Sequence, residues 1–189
     1  EGRTFDRIVS QPPFVARYDG GRSTTYLDGG SRGDEIALRL LRETPPYLAL
    51  SGRAVVLVEW PVTDDAPIEA RIREAVPDRR VSVLLLEGPG RSLDQYCTLY
   101  AAREHPDHGE AFARAATERR EHLDRLGIRD LRVGVAVLEN RPSGEAWTWS
   151  LAIRALAQAE LNAPRIDRLI AVRDLLDAGT GALLAATLR

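Results

Sequence analysis

Two consecutive prolines end the first apolar run of this chain, and they limit what that run can become. The run is Phe5-Asp6-Arg7-Ile8-Val9-Ser10, followed by Gln11-Pro12-Pro13-Phe14. Ile8 and Val9 are β-branched and suit a strand. Each proline fixes φ and lacks an N–H, so neither a helix nor a ladder of sheet hydrogen bonds continues through Pro12 and Pro13. The chain therefore leaves the sheet there. A rigid turn at the carboxyl end of a strand, carrying an amide side chain and an aromatic ring, is where an open α/β sheet places its ligand chemistry.

The pattern downstream alternates strand and helix. Asp19–Thr25 and Asp28–Gly33 are loops by composition. Asp34 stands at a plausible N-cap, with Ile36, Leu40 and Leu41 at helical spacing before Pro45-Pro46. Arg53 to Glu59 contains the continuous run Ala54-Val55-Val56-Leu57-Val58, which reads as a strand buried on both faces in a parallel sheet. Pro67 then opens a helix with Ile68, Ile72, Ala75 and Val76 on one face, and Val81–Leu86 is the next strand. Ser92-Leu93-Asp94-Gln95 has the form of a capping box. A charged helix from about Gly109 to Leu126 stops at Gly127, a good residue for the left-handed end of a helix. Leu131–Leu138 and Ala146–Ile153 are two strands whose turn-rich connector, Glu139–Glu145, predicts an antiparallel hairpin. Beyond Pro164, Ile166, Leu169, Ile170, Leu175 and Leu176 mark an amphipathic tail helix. The order is that of an α/β domain, residues 1–153, followed by a helical tail, residues 154–189.

Composition narrows the function classes. With 189 residues, 44% of them hydrophobic and 29% charged, the chain has enough apolar material for a sizeable core and is not globally disordered. A net charge of −2 argues against strong nonspecific nucleic-acid binding, although all 26 basic residues are Arg and a local patch fits within that total. Cys97 is the one cysteine, which excludes an internal disulfide and suits a reducing compartment. No apolar run approaches membrane-spanning length and no signal peptide opens the chain, so the sequence reads as cytoplasmic.

The stretch Phe5 to Phe14 resembles the strand-four motif, (N/D/S)-P-P-(Y/F/W), of class I AdoMet-dependent methyltransferases that act on planar nitrogens. The continuation Gly29-Gly30-Ser31-Arg32-Gly33-Asp34, Leu40-Leu41-Arg42-Glu43 and Tyr47 to Glu59 is similar to the release-factor glutamine methyltransferase type. The likeness covers about residues 3–60, with a weaker echo to 86. It implies the C-terminal half of a class I methyltransferase-like (Rossmann-like) sheet, mostly parallel with an antiparallel hairpin and with helices on both faces. It also implies methyl transfer from S-adenosyl-L-methionine to an amide or amino nitrogen of a protein or nucleic acid. Gln11, Pro12, Pro13 and Phe14 are the implied catalytic residues. An amide nitrogen is a poor nucleophile because its lone pair is delocalised. The Gln11 side-chain oxygen and the Pro12 carbonyl would accept its N–H bonds and Phe14 would stack on its plane. Gln11 departs from the motif, and its extra methylene moves the oxygen by about 1.5 Å relative to Asn.

In that family the Gly-rich AdoMet turn lies upstream of the Pro-Pro motif, and the chain opens a few residues before the motif without Met. The sequence thus reads as a fragment that needs a missing N-terminal segment or a partner chain, and its own activity is open. Gly88-Pro89-Gly90 follows a strand and precedes a helix, so it is either a permuted cofactor turn or a tight strand-to-helix turn. Glu59-Trp60-Pro61 ends a strand at the sheet edge that bears Gln11, so Glu59 and Trp60 are candidate substrate-binding residues, Glu59 otherwise capping a helix. His105, Asp107, His108 and Glu110 are a poor zinc set, explained by a helix N-terminus, and no metal is expected. Cys97 lies on an apolar helical face and reads as core. Trp147 and Trp149 alternate on one strand and are either a base-stacking platform or edge-strand packing. Two other readings stand beside the first: a catalytically silent binding module with this fold, and an rRNA or DNA amino methyltransferase with an Arg-lined groove beside Phe14.

Overall fold

The structure is a computed structural model that describes residues 2–21, 26–142, 145–153 and 162–186. Parts of two expected connectors, 22–25 and 143–144, lie outside the described residues. By compactness the chain divides into Glu1–Ile153 and Arg154–Arg189.

The first unit is built on a five-stranded sheet in the order β1-β2-β4-β3-β5. The strands are β1 (Phe5–Ser10), β2 (Leu48–Val62), β3 (Val81–Ser92), β4 (Asp130–Asn140) and β5 (Thr148–Ala152). β1 pairs parallel with β2, and β5 pairs parallel with β3. β4 lies between β2 and β3 and is antiparallel to both. Four strands therefore run one way and β4 alone runs the other, so the domain is α/β with a mixed, mostly parallel sheet.

The expected hairpin of Leu131–Leu138 with Ala146–Ile153 does not form. β4 has both of its edges occupied by longer partners, with Arg53–Val62 on one side and Val81–Ser92 on the other. β5 passes beyond it and adds to β3, with Val83 beside Thr148 and Leu86 beside Leu151.

Helices lie on both faces because the strands alternate two apolar sets. Ala54, Val56, Val58 and Trp60 of β2 share one core with Val83 and Leu85 of β3 and Ala136 and Leu138 of β4. Ala37 and Leu41 of α1 (Glu35–Glu43) and Ile72 of α2 (Ile68–Ala75) close it. A second core joins Leu93, Tyr96, Cys97 and Tyr100 of α3 (Leu93–Glu104) to Leu123 of α4 (Glu110–Arg125) and to Leu131 of β4. Leu131 pairs with Pro61, whose side chain alternates with that of Trp60, so this core belongs to the other face.

Local signals place the helix ends. The Ser92 hydroxyl accepts from the Gln95 N–H and the Gln95 side chain accepts from the Ser92 N–H, both at 3.3 Å, a complete capping box. Asp34 precedes α1 but does not cap it; its carboxylate pairs with Arg71 of α2 instead. The second unit contains α5 (Ala163–Asp177) and α6 (Thr180–Ala185), with the Asn162 side chain capping α5 at the Arg165 N–H, 3.0 Å. Among the described residues, no helix is long and apolar enough to cross a membrane.

Candidate acceptor site at the carboxyl edge of the sheet

Because β1, β2, β3 and β5 run the same way, their carboxyl ends share one edge of the sheet. Gln11-Pro12-Pro13-Phe14 leaves β1 at that edge, and Glu59 to Val62 and Gly90 to Ser92 end β2 and β3 there. Gln11 is exposed, Pro12 is buried, and Pro13 and Phe14 are half-buried. Phe14 packs at the margin of the second core, on the side of α3 and α4.

The segment after the turn, Val15 to Tyr18, is held from two directions. On one side it pairs with the following loop: Val15 N–H donates to Leu27 at 2.8 Å, Gly29 N–H to Val15 at 2.9 Å and Arg17 N–H to Gly30 at 2.8 Å. The approach is backbone against backbone, which requires glycine. A Cβ on Gly29 would come within 2.6 Å of the Phe14 Cα, and Gly33, at φ +90°, would place one 2.8 Å from the Phe14 carbonyl. On the other side, side chains reach in from the helices. Ala16 N–H donates to the Tyr96 hydroxyl at 2.8 Å, and the Ala16 carbonyl accepts from Arg119 Nη1 at 2.7 Å.

Arg119 is only 2% exposed. Burying a guanidinium is costly unless its charge and donors are matched. Glu104 pairs with it, and the other Glu104 oxygen accepts from the Tyr18 hydroxyl at 3.2 Å. The guanidinium carbon lies 4.6 Å from the Tyr18 ring centroid and 5.7 Å from that of Tyr100. Burial first, and neighbouring carboxylate charge second, pushes the Tyr18 and Tyr100 hydroxyls up to about 12, so both stay neutral. These side chains floor a cavity of about 430 Å³ that opens past Tyr26, Arg17 and Arg103.

Glu59 and Trp60 are adjacent in β2 and so point to opposite faces. Trp60 fills the first core, 3% exposed. This removes its ring from a substrate-binding role. Glu59 turns toward α3 and is 2% exposed; its Oε2 lies 3.4 Å from Arg91 Nη1, and its Oε1 has no hydrogen-bond partner among the described residues. Burial raises its pKa to about 7 and the Arg91 charge only partly offsets this. It caps no helix.

Gly88-Pro89-Gly90 is not a strand-to-helix turn. It continues β3 through an irregularity between Glu87 and Gly90, where Gly90 lies opposite Arg132. The capping box at the start of α3 engages the Ser92 and Gln95 N–H groups. Cys97 is buried, its thiol pushed up to about 11 by burial. The His108 ring stacks on Phe112, centroids 5.0 Å apart. Trp147 precedes β5, is buried, and has the Arg141 guanidinium carbon 5.7 Å from its ring; Trp149 is half-buried beside Leu84.

Sequence reasoning missed Tyr18, Tyr96, Glu104 and Arg119. A signal for Arg119 was present, since Ala115, Arg119 and Leu123 recur every four residues and all three are buried. An arginine within such an apolar stripe marks a buried ion pair. No protein-family model and no curated protein matches the sequence.

Proposed function

We propose that this chain carries the acceptor side of a class I AdoMet-dependent N-methyltransferase, which methylates an amide or amino nitrogen of a protein or nucleic acid. The observation that carries the reading is the Gln11-Pro12-Pro13-Phe14 turn, leaving a parallel strand at the ligand-bearing edge and backed by a segment pinned at both faces. The mostly parallel sheet supports it, since the resemblance implies one, although the implied hairpin is absent. Glu59 is a buried carboxylate on the same side of the sheet as Phe14.

In this reading Gln11 and the Pro12 carbonyl accept the N–H bonds of the acceptor and turn its lone pair out of the plane, while Phe14 stacks on that plane. The methyl donor is held by a segment or partner outside the described residues. The outer edge of β1, unpaired among the described residues, and the exposed Val9 and Phe5 suit such a neighbour.

The test is methyl transfer from labelled AdoMet by the full-length parent chain. Gln11→Ala and Phe14→Ala are each expected to lower kcat by about a hundredfold, as a misplaced acceptor would. Gln11→Asn, which restores the motif's residue, is expected to keep activity within about tenfold. Unchanged transfer in both alanine variants overturns the assignment. A full-length chain that neither binds AdoMet nor transfers methyl favours the silent binding module.

A further inference from the structure

Among the described residues, the cavity beside the turn has an electrically balanced floor and one unmatched cation at its mouth. On the floor, the Arg119 charge is matched by Glu104, and Tyr18 donates its hydroxyl hydrogen to the same carboxylate. At the rim, Arg17 pairs with Asp28 at 3.3 Å. Arg103 is the remaining guanidinium of the lining. It has no acidic partner among the described residues, and its guanidinium carbon lies over the Tyr100 ring, 5.5 Å from the centroid. Tyr18, Tyr26 and Tyr100 give the cavity aromatic walls, and its volume of about 430 Å³ falls within the range of small-molecule sites.

We infer that this cavity binds a planar aromatic body carrying one anionic group, the ring against the tyrosines and the anion on Arg103. Neutral aromatic walls favour an uncharged ring and disfavour a second charge, because the charges of the other two arginines are already paired with Glu104 and Asp28. A guanidinium at the mouth offers a planar pair of donors to a carboxylate. A nucleic-acid strand would need several unmatched cations along the backbone track, and the described lining supplies one. The inference goes beyond the proposed function: the cavity lining contains none of Gln11 to Phe14, and the binding itself requires no methyl donor.

The experiment is titration of this chain with 4-aminobenzoate and with the uncharged 4-aminobenzamide, followed by calorimetry and by the tyrosine ring signals in NMR. Saturable binding of 4-aminobenzoate that moves the Tyr18 and Tyr100 signals is expected. Arg103→Gln is expected to weaken the acid about tenfold and the amide less than about twofold. Arg17→Gln, at the same rim but already paired, is expected to change neither by more than about twofold. The inference is overturned if neither compound binds saturably, if Arg103→Gln weakens both equally, or if Arg17→Gln matches its effect. Displacement of the acid by a single-stranded oligonucleotide would also overturn it, in favour of a nucleic-acid groove. Because no AdoMet is added, failure here leaves the assignment of the turn standing, and failure of the methyl-transfer assay leaves this binding result intact.

Discussion

Ala16 has no functional side chain, yet both of its backbone polar groups are held by buried side chains 80 and 103 residues away in the sequence. That arrangement fixes the segment that follows Phe14 more tightly than a surface loop requires. Tyr96→Phe removes one hydroxyl and leaves the ring in place. It is expected to cost about 1 kcal/mol in urea denaturation and to speed amide exchange at Ala16 more than at β2. Equal exchange in the two proteins would show that the contact does not hold the segment. Glu59 makes a second prediction, with the sign set by its raised pKa. Between its unfolded value near 4.5 and its folded value of about 7, the native state holds a proton that the unfolded chain has released. Its contribution is therefore fully present below pH 4.5 and lost as pH rises through about 7. Glu59→Gln is expected to remove roughly 3 kcal/mol of that decline, read as the difference between the two stability profiles from pH 4 to 8. Parallel profiles would contradict the assignment. At this scale the turn was legible because proline leaves few alternatives, whereas the Arg119 network was hidden. The four-residue stripe around Arg119 marks a buried arginine, and nothing local to Tyr18 or Glu104 says that they meet it.

At the scale of elements, the local signals that read correctly are those whose physics is complete within a few residues. The Ser92 capping box is one, since both of its hydrogen bonds span three positions. Ser92→Ala is expected to destabilise the chain by about 1 kcal/mol, and Gln95→Ala by less, both measured by denaturant midpoint at constant slope. A null effect for Ser92→Ala would mean that packing alone ends α3. Gly88-Pro89-Gly90 misled for the opposite reason. Glycine and proline mark turns in isolation, but opposite β4 the segment is held in the sheet through Gly90, Arg91 and Ser92. The hairpin failed likewise: a turn-rich connector after β4 says that the chain changes direction, and it does not say which strand the next one joins.

At the scale of the whole molecule, strand order is what the sequence could not supply. The alternation of strands and helices announced an α/β sheet. The continuous apolar run of β2 announced burial on both faces, and the structure covers one of them more fully, since Ala54, Val56 and Val58 are buried while Val55 and Leu57 are half-buried. Only the pairing shows that β4 is the single reversed strand and that β1, with Val9 80% exposed, has a free outer edge among the described residues. That edge lies beside the strand whose carboxyl end bears the proposed acceptor turn. It is therefore where a segment holding the methyl donor would adjoin the acceptor side. The most direct test of this account is calorimetric titration of AdoMet into the present chain and into a version extended upstream to the natural start of the parent protein. Saturable binding to the extended form, with none to the present chain, is the expected result, and binding to neither form, or equally to both, would contradict it.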